Sequence, residues 1–319
     1  MSKYTVRPLE LTGLKTIPIA ERGGKVQAAH FGRSYRAGGG LAGLLDSMPR
    51  ILAADSLRLV VEALESAKRR QRAIIWAMGG HVIKCGMAPL LADLAARRYA
   101  TAFSMNGSAA IHDFEIAIAG QTSEDVEAVL PDGRFGSAEE TGREMNLAIS
   151  EGNRKSLGIG EALGQRLETL ADPRFSGYSL LWQAYQASIP VTVHVAVGTD
   201  TPHTHPAVDP AALGAATHRD FRLFCSIAKG LDEGGVYLNV GSAVVMPEVF
   251  LKAVSTVRNL GTPLRRFTTV NLDFLQHYRP AANVVQRPHA GAGGRGIAIT
   301  GHHEILLPLI AALLIERES

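Results

Sequence analysis

Five short segments of the sequence combine glycine with side chains that bind phosphate, exchange protons or accept hydrogen bonds. Each segment follows an apolar run that predicts a β-strand. Glycine lets a ligand approach the backbone closely, and the free N–H groups at the start of a helix attract anions. The segments are Gly79-Gly80-His81, Asn106-Gly107-Ser108, Gly198-Thr199-Asp200, Gly241-Ser242 and Thr300-Gly301-His302.

These segments also have a purely structural explanation, because turns and helix N-caps of any α/β protein favour Gly, Ser, Asn and Asp. One segment alone would favour that explanation. Five in succession favour a dinucleotide site instead. The predicted cofactor-binding residues are Gly79, Gly80, His81, Asn106, Gly107, Ser108, Thr199, Asp200, Gly241, Ser242, Gly301 and His302.

Four ionisable residues near these segments are candidates for catalysis. His112 and His203 can exchange protons near neutral pH, and Asp113 lies beside His112 at the start of a predicted helix. Asp113 equally fits a helix-start residue that the helix dipole stabilises. Lys84 either binds an anion at a helix start or is an ordinary solvated lysine.

Two histidine clusters raise the alternative of a metal site. His203-x-His205 can chelate zinc on an extended segment, and His302-His303-Glu304 adds further ligand types. The sequence has no HExxH or CxxC motif and no clear third ligand. We therefore predict no metal, and a metal-dependent hydrolase or deaminase that uses both clusters remains an alternative.

Strands and helices alternate along the chain and must position these residues. Apolar runs predict strands over 73–80, 100–105, 189–200, 235–242, 265–273 and 296–301. Strands that are apolar on both faces and alternate with helices indicate a Rossmann-like α/β fold, with a mostly parallel sheet and helices on both faces. We predict one domain over residues 1–319, in which residues 1–50 form an irregular N-terminal extension. The motif GAGGRG (291–296) lacks the strand-before, helix-after context of a dinucleotide fingerprint and predicts a flexible loop.

Composition narrows the function classes. The formal net charge of the 319 residues is +3, and Lys and Arg form only short clusters, which argues against nucleic-acid binding. Two cysteines, Cys85 and Cys225, are too few for a disulfide framework. The N-terminus shows no secretory pattern, and the apolar run 304–316 is too short to span a bilayer. We predict a cytoplasmic protein that is not bound to membranes.

The order of motifs resembles the deoxyhypusine synthase family, which includes plant homospermidine synthase. The resemblance covers roughly residues 50–316 and is carried by WAMGGHVIKCG, AFSMNGSAAIHDFE, LLWQAYQASIPVTVHVAVGTD, LNVGSAVVMPEVF and ITGHHEILLPLIAALLIE. It implies a Rossmann-like fold, NAD as cofactor through Asn106, Gly107, Ser108, Asp200 and Gly241, and a homotetramer with sites at subunit interfaces.

The chain departs from that family where the family's chemistry takes place. The family's imine-forming lysine corresponds to the segment NVVQRPHAG, which has Arg287 and no lysine. Arginine stays protonated and cannot form the imine. We therefore predict a deoxyhypusine synthase-like, NAD-dependent enzyme that acts on a small amine and does not perform deoxyhypusine synthesis, with Lys84 as a replacement amine. The alternative from a different class is a nucleotide- or metabolite-binding module without catalysis.

Overall fold

The computed structural model describes residues 2–318, and its strands form a six-stranded sheet in the order β3-β2-β1-β4-β5-β6. Every neighbouring pair is parallel. The strands are β1 Ile74–Met78, β2 Ala102–Asn106, β3 Val191–His194, β4 Val236–Val240, β5 Thr268–Asp273 and β6 Arg295–Thr300. This arrangement confirms the predicted Rossmann-like α/β fold.

Helices connect consecutive strands, as parallel pairing requires. They are α1 Gly40–Ser47, α2 Leu52–Arg69, α3 Gly80–Lys84, α4 Ala88–Ala96, α5 Gly107–Ala119, α6 Val126–Val129, α7 Glu139–Arg154, α8 Ile159–Leu170, α9 Leu180–Gln186, α10 Pro210–Ala228, α11 Val245–Asn259, α12 Tyr278–Pro280 and α13 His303–Glu316. A π-helical turn, Ala281–Gln286, continues α12.

Both faces of the sheet are covered. Along β1, the side chains of Ile74, Trp76 and Met78 join a core that contains residues of α2, α4 and α13. The side chains of Ile75 and Ala77 join the opposite core, which α10 and α11 supply. Because consecutive residues of a strand face opposite sides, this division shows that helices pack on both faces.

The strand predicted over 189–200 is shorter than expected, because the chain leaves the sheet after His194. The backbone N–H of Val195 donates to the hydroxyl of Thr217 on α10 instead of to a strand (3.2 Å). Residues 195–208 therefore form a loop, which includes a short 3-10 turn at Thr201–Thr204. The alternating β-branched residues Val193, Val195 and Val197 imitate a longer strand in the sequence.

Residues 2–29 are exposed throughout, and before α1 the only helical turn in the described chain is Ala28–His30. A single domain remains a prediction. None of the helices formed by residues 2–318 combines the length and apolar character that a bilayer crossing requires.

The direction of chain progression reverses between β1 and β4. From β1 the sheet grows outward through β2 and β3, whereas β4, β5 and β6 follow on the other side. In open parallel sheets the crevice at the carboxyl ends of the strands flanking such a reversal is the usual ligand site. Gly79 follows β1 and Gly241 follows β4, so both lie at this crevice.

Candidate functional site

The glycines at the crevice bring two strand ends into direct backbone contact. A Cβ atom on Gly79 would lie 2.2 Å from the carbonyl oxygen of Gly241. Gly241 has a φ of +65°, and its missing Cβ would lie 2.6 Å from Cε1 of His303. Only glycine allows this conformation without strain and leaves room for the imidazole. Because Gly241 has no side chain, the start of α13 can lie across the end of β4.

At the neighbouring strand ends, other protein groups also fill the space beside the glycines. A Cβ on Gly80 would lie 2.2 Å from the hydroxyl oxygen of Ser108, and a Cβ on Gly107 would lie 2.0 Å from Oδ2 of Asp200. Protein groups therefore occupy the space that the sequence analysis assigned to a ligand. The glycines first permit close packing of the strand ends, and a ligand can approach only beside those groups.

Several of the predicted cofactor-binding residues hold the turns together. The side chain of Asn106 accepts from the N–H of Ala109 (2.9 Å) and caps α5. The hydroxyl of Ser242 accepts from the N–H of Met246 at the start of α11 (3.2 Å). The hydroxyl of Thr199 donates to Ala196 O (2.8 Å). These contacts are the ordinary turn and capping roles that the structural explanation expects.

Asp200 differs from these residues because one of its buried oxygens has no partner. Within the described residues, Oδ2 of Asp200 accepts no hydrogen bond, and the nearest cation-forming group is Nε2 of His203 at 3.9 Å. Burial raises the pKa of this carboxyl, and His203 opposes the rise. The carboxylate lies against Gly107 at the start of α5, beside the carboxyl ends of β2 and β3. This oxygen can therefore accept a hydrogen bond from water or from a ligand.

The loop that carries Asp200 and His203 is fixed by α7. Nδ2 of Asn146 donates to the carbonyl of Pro202 (2.8 Å), and the N–H of Gly198 donates to Nδ1 of His203 (3.2 Å). The loop leaves a cavity of about 20 Å³ against the start of α5. That volume holds about one water molecule, so a larger ligand at Asp200 requires this loop to move.

Asp113 does not lie in the site, and its predicted catalytic role is not supported by its position. The side chain is fully buried and accepts from the hydroxyl of Ser179 (2.5 Å) and from the N–H groups of Leu180 (2.7 Å) and Leu181 (2.9 Å). It caps α9 from a distant part of the chain. Burial raises its pKa to about 6, although the three hydrogen bonds oppose the rise.

His112 lies between the strand ends and a cavity that Glu115 and Thr122 line. Its Cδ2 would be 3.0 Å from a Cβ on Gly80, and its Nδ1 is 2.7 Å from the hydroxyl oxygen of Thr122. Thr122 donates to Glu115, which also accepts from Thr141 (3.1 Å). Burial opposes the charge of Glu115, but the hydrogen bonds from His112 and the two threonines outweigh it and lower its pKa.

The cavity beside this network measures about 680 Å³. It lies between α5, α7 and the segment that joins them, and four carboxylates but one guanidinium line it. The charged lining residues are Glu115, Glu124, Glu140, Glu144 and Arg143. Glu144 is paired with Arg143 and with Arg166, so the unpaired charge of the cavity is negative.

A second cluster lies on the other side of the crevice, and it contains a cysteine that the sequence analysis did not select. On α3, Nε2 of His81 is 3.2 Å from Sγ of Cys85, and Sγ is 3.6 Å from Oε2 of Glu304 at the start of α13. Burial raises the pKa of the Cys85 thiol, the charge of Glu304 raises it further, and Lys84 lowers it. The only sequence signal was the spacing of His81 and Cys85, which places both on one face of a helix.

Lys84 and His302 are exposed at the edge of this cluster. Nδ1 of His302 lies 3.8 Å from Oε1 of Glu304, whereas Lys84 precedes Cys85 at the end of α3. His303 is fully buried, and its Nδ1 has no partner among the described residues. Its other nitrogen is 3.2 Å from the carbonyl oxygen of Leu272. Gly301, just before α13, would place a Cβ 3.0 Å from Leu306.

The metal alternative that joins the two histidine clusters is wrong. His203 and His205 follow β3 and His302 follows β6, and these strands form opposite edges of the sheet. Strands lie about 4.8 Å apart, so five strand steps separate the clusters by about 24 Å. Nε2 of His205 instead contacts Glu139 on α7 (3.2 Å).

Arg287 lies where the resembled family has its lysine, and it is occupied with local contacts. Its guanidinium donates to the side chain of Asn283 (2.7 Å) and to the hydroxyl of Tyr278 (3.1 Å). The segment therefore supplies no free amine to the strand ends.

No family model and no curated protein matches the chain. Among solved structures, the chain is similar to a conserved protein from Methanococcus maripaludis S2 that is provisionally assigned as LOR/SDH. The TM-score is 0.51 at 16% identity, over 84% of this chain and 70% of that chain. At 16% identity, this similarity shows a shared fold and nothing beyond it.

Two further similarities are weaker. One is to a provisionally assigned deoxyhypusine synthase from Entamoeba histolytica, with a TM-score of 0.49 and 10% identity over 89% of this chain and 96% of that chain. The other is to AgrE in a ternary complex with ornithine and NAD⁺, with a TM-score of 0.48 and 14% identity. It covers 85% of this chain but 34% of AgrE, so the chain spans about a third of the length of AgrE.

Proposed function

We propose that this chain is a divergent deoxyhypusine synthase-like enzyme that binds NAD at the carboxyl edge of its sheet and acts on a small amine without performing deoxyhypusine synthesis. The strand order β3-β2-β1-β4-β5-β6 is the order that binds dinucleotides across the reversal point. The observation that carries the proposal is the buried oxygen of Asp200, which has no hydrogen-bond partner among residues 2–318.

The chemistry of a dinucleotide fits this oxygen. A buried acceptor without a donor costs about 1–3 kcal/mol, so the folded chain retains it at a disadvantage unless a ligand supplies the donor. A ribose hydroxyl is such a donor, and an acidic side chain at a strand end is the usual partner of the NAD ribose. Asp200 would therefore hold the ribose after movement of the loop 195–208, and Gly107 leaves the space in which the Asp200 carboxylate lies against the start of α5.

Bound NAD would supply a hydride acceptor, and the chain would supply a base and a place for the amine. The cavity of about 680 Å³ has an excess of carboxylates, which favours a cationic substrate. His112 lies between this cavity and Gly80, so in this proposal its imidazole exchanges a proton with a substrate bound in the cavity. The resemblance supports a homo-oligomer, which light scattering would measure.

Calorimetric titration of the full chain with NAD⁺ tests the proposal. Asp200→Ala should weaken binding by about 10- to 100-fold, since a hydrogen bond to a charged group contributes about 1.5–3 kcal/mol. Asp209→Ala is the matched control, because Asp209 is an exposed aspartate of the same region that caps α10. Absence of binding at millimolar NAD⁺, or equal affinity of Asp200→Ala and the wild type, would refute the site.

Catalysis needs its own measurement, because the missing lysine also fits a binding module. We expect NADH to form when the protein is mixed with NAD⁺ and a panel of di- and polyamines and amino acids, and His112→Ala to lower the rate. If NAD⁺ binds but none of the amines produces NADH, the binding module replaces the enzyme.

A further inference from the structure

We propose that His81, Cys85 and Glu304 form a zinc site with an open fourth position. The three residues offer one ligand atom each, and these atoms all lie within 4.8 Å of one another. The site does not include Asp200, and it uses a cysteine that the proposed function does not use. Thiolate, imidazole and carboxylate together are typical zinc ligands.

Two of the three distances between the ligand atoms are close to those around one tetrahedral ion. Zn–S of about 2.3 Å and Zn–N or Zn–O of about 2.0–2.2 Å place neighbouring ligand atoms about 3.4–3.6 Å apart in a tetrahedron. The Cys85–Glu304 distance is 3.6 Å and the His81–Cys85 distance is 3.2 Å. The second distance would open by about 0.4 Å, which a small rotation of the exposed His81 ring provides.

The fold brings the ligands together from two elements. His81 lies on α3 and Cys85 directly follows its last residue, so the two are four residues apart, which is the spacing of paired ligands on zinc-binding helices. Glu304 arrives on the first turn of α13, because Gly241 leaves room for His303 across the end of β4. The rings of His81 and His303 are 5.5 Å apart.

The position of the carboxylate distinguishes a metal site from a cysteine nucleophile. In a Cys–His–acid catalytic group the acid contacts the histidine and orients it. Here Glu304 contacts the sulfur itself. The thiol donates to this carboxylate, but once the thiol loses its proton the two negative charges are unfavourable unless a cation lies between them. A divalent ion would make the thiolate, the carboxylate and the ion electrically neutral together.

Three protein ligands and solvent access describe a catalytic type of zinc site more than a structural one. His81 and Glu304 are exposed, and Cys85 is partly exposed. The fourth position would therefore take water or a heteroatom of a small ligand, next to the crevice between β1 and β4.

Zinc and cobalt titrations of the full chain test this site. We expect one Zn²⁺ per chain by competition with a chromophoric chelator, and a sulfur-to-cobalt charge-transfer band with Co²⁺. Loss of an outer-shell partner alone costs about 10–100-fold in metal affinity, so Cys85→Ser and His81→Ala should each weaken Zn²⁺ binding by more than about 100-fold. Glu304→Gln should also weaken it.

Cys225→Ser is the matched control, because Cys225 is the other cysteine and lies in the core formed with α11. This variant should bind Zn²⁺ and give the cobalt band like the wild type. Circular dichroism in the presence of a chelator checks that each variant folds. If Zn²⁺ binds equally well to Cys85→Ser, or if the folded wild type shows no charge-transfer band with Co²⁺, the zinc site is wrong.

Discussion

Replacing Asp113 should destabilise the fold, although the sequence placed this residue among the catalytic candidates. Its carboxylate is the acceptor for three donors at the start of α9: the hydroxyl of Ser179 and the N–H groups of Leu180 and Leu181. All four residues are fully buried. Asp113→Ala would leave these donors without an acceptor and without access to water.

The expected loss follows from the number of donors. Each buried donor without a partner costs about 1–3 kcal/mol, and the two N–H groups cannot turn toward another acceptor. We expect Asp113→Ala to lower the free energy of unfolding by about 3–5 kcal/mol, a large part of the roughly 5–15 kcal/mol of an ordinary domain. Asp113→Asn keeps one oxygen and should lose about 1–2 kcal/mol.

The pH dependence of the free energy of unfolding provides a second, independent test of this structural role. The pKa of Asp113 is raised from 3.8 to about 6 in the folded chain, so the folded state holds the proton more tightly than the unfolded state. The stability that comes from this proton is complete below pH 4 and is lost as the pH rises to about 6. At most about 3 kcal/mol is lost, and Asp113→Asn should show none of this loss.

Urea unfolding followed by tryptophan fluorescence measures both effects, because Trp182 lies on α9 next to this cap. Asp125→Asn is the control: Asp125 also caps a helix but is exposed, so its replacement should cost only tenths of a kcal/mol. If Asp113→Ala unfolds at the same urea concentration as the wild type but loses activity, the structural role is wrong and the catalytic one returns.

Three further predictions concern the rest of the fold. Burial raises the pKa of Asp220 to about 7, so the free energy of unfolding should fall as the pH rises from about 4 to about 7. Urea unfolding at several pH values should show this dependence for the wild type and not for Asp220→Asn. Gly79→Ala should lower the free energy of unfolding by at least about 1–3 kcal/mol, because the carbonyl of Gly241 occupies the space of the new methyl group. Gly177→Ala is the control: its new methyl group would meet no atom within 4 Å, so the free energy of unfolding should change by less than about 0.5 kcal/mol. Deleting the exposed residues 2–25 should change the free energy of unfolding, measured by thermal unfolding, by less than about 0.5 kcal/mol. A larger loss would mean that this segment packs on the fold.

Local patterns predicted the sheet well because its strands are short apolar runs, most of them buried on both faces, while the edge strand β6 leaves Ala298 and Thr300 exposed. The exception is β3, where Val195 and Val197 continue the alternation after the chain has left the sheet. A sequence shows which residues can form a strand. Whether a neighbouring strand can pair with them beyond His194 depends on the rest of the fold.

The site was less predictable because its contacts join distant parts of the chain. Asp113 and Ser179 are 66 residues apart, and Cys85 and Glu304 are 219 apart. The sequence placed Asp113 at the start of its own helix, but Asp113 lies in the middle of α5, and the helix it caps is α9. Glycine next to polar residues predicted the strand-end turns, but it did not show that the neighbouring protein groups fill the space.

The contact between Gly79 and Gly241 also has a consequence for how the protein can be assembled. It joins β1 to β4, and Ile74 pairs with Val236 across more than half of the sequence. The first three strands and the last three each pair among themselves, so the seam between them is completed when the two halves of the polypeptide meet. A chain divided in the loop 195–208 should therefore give two fragments that each lack the crevice, and mixing the fragments should regenerate it.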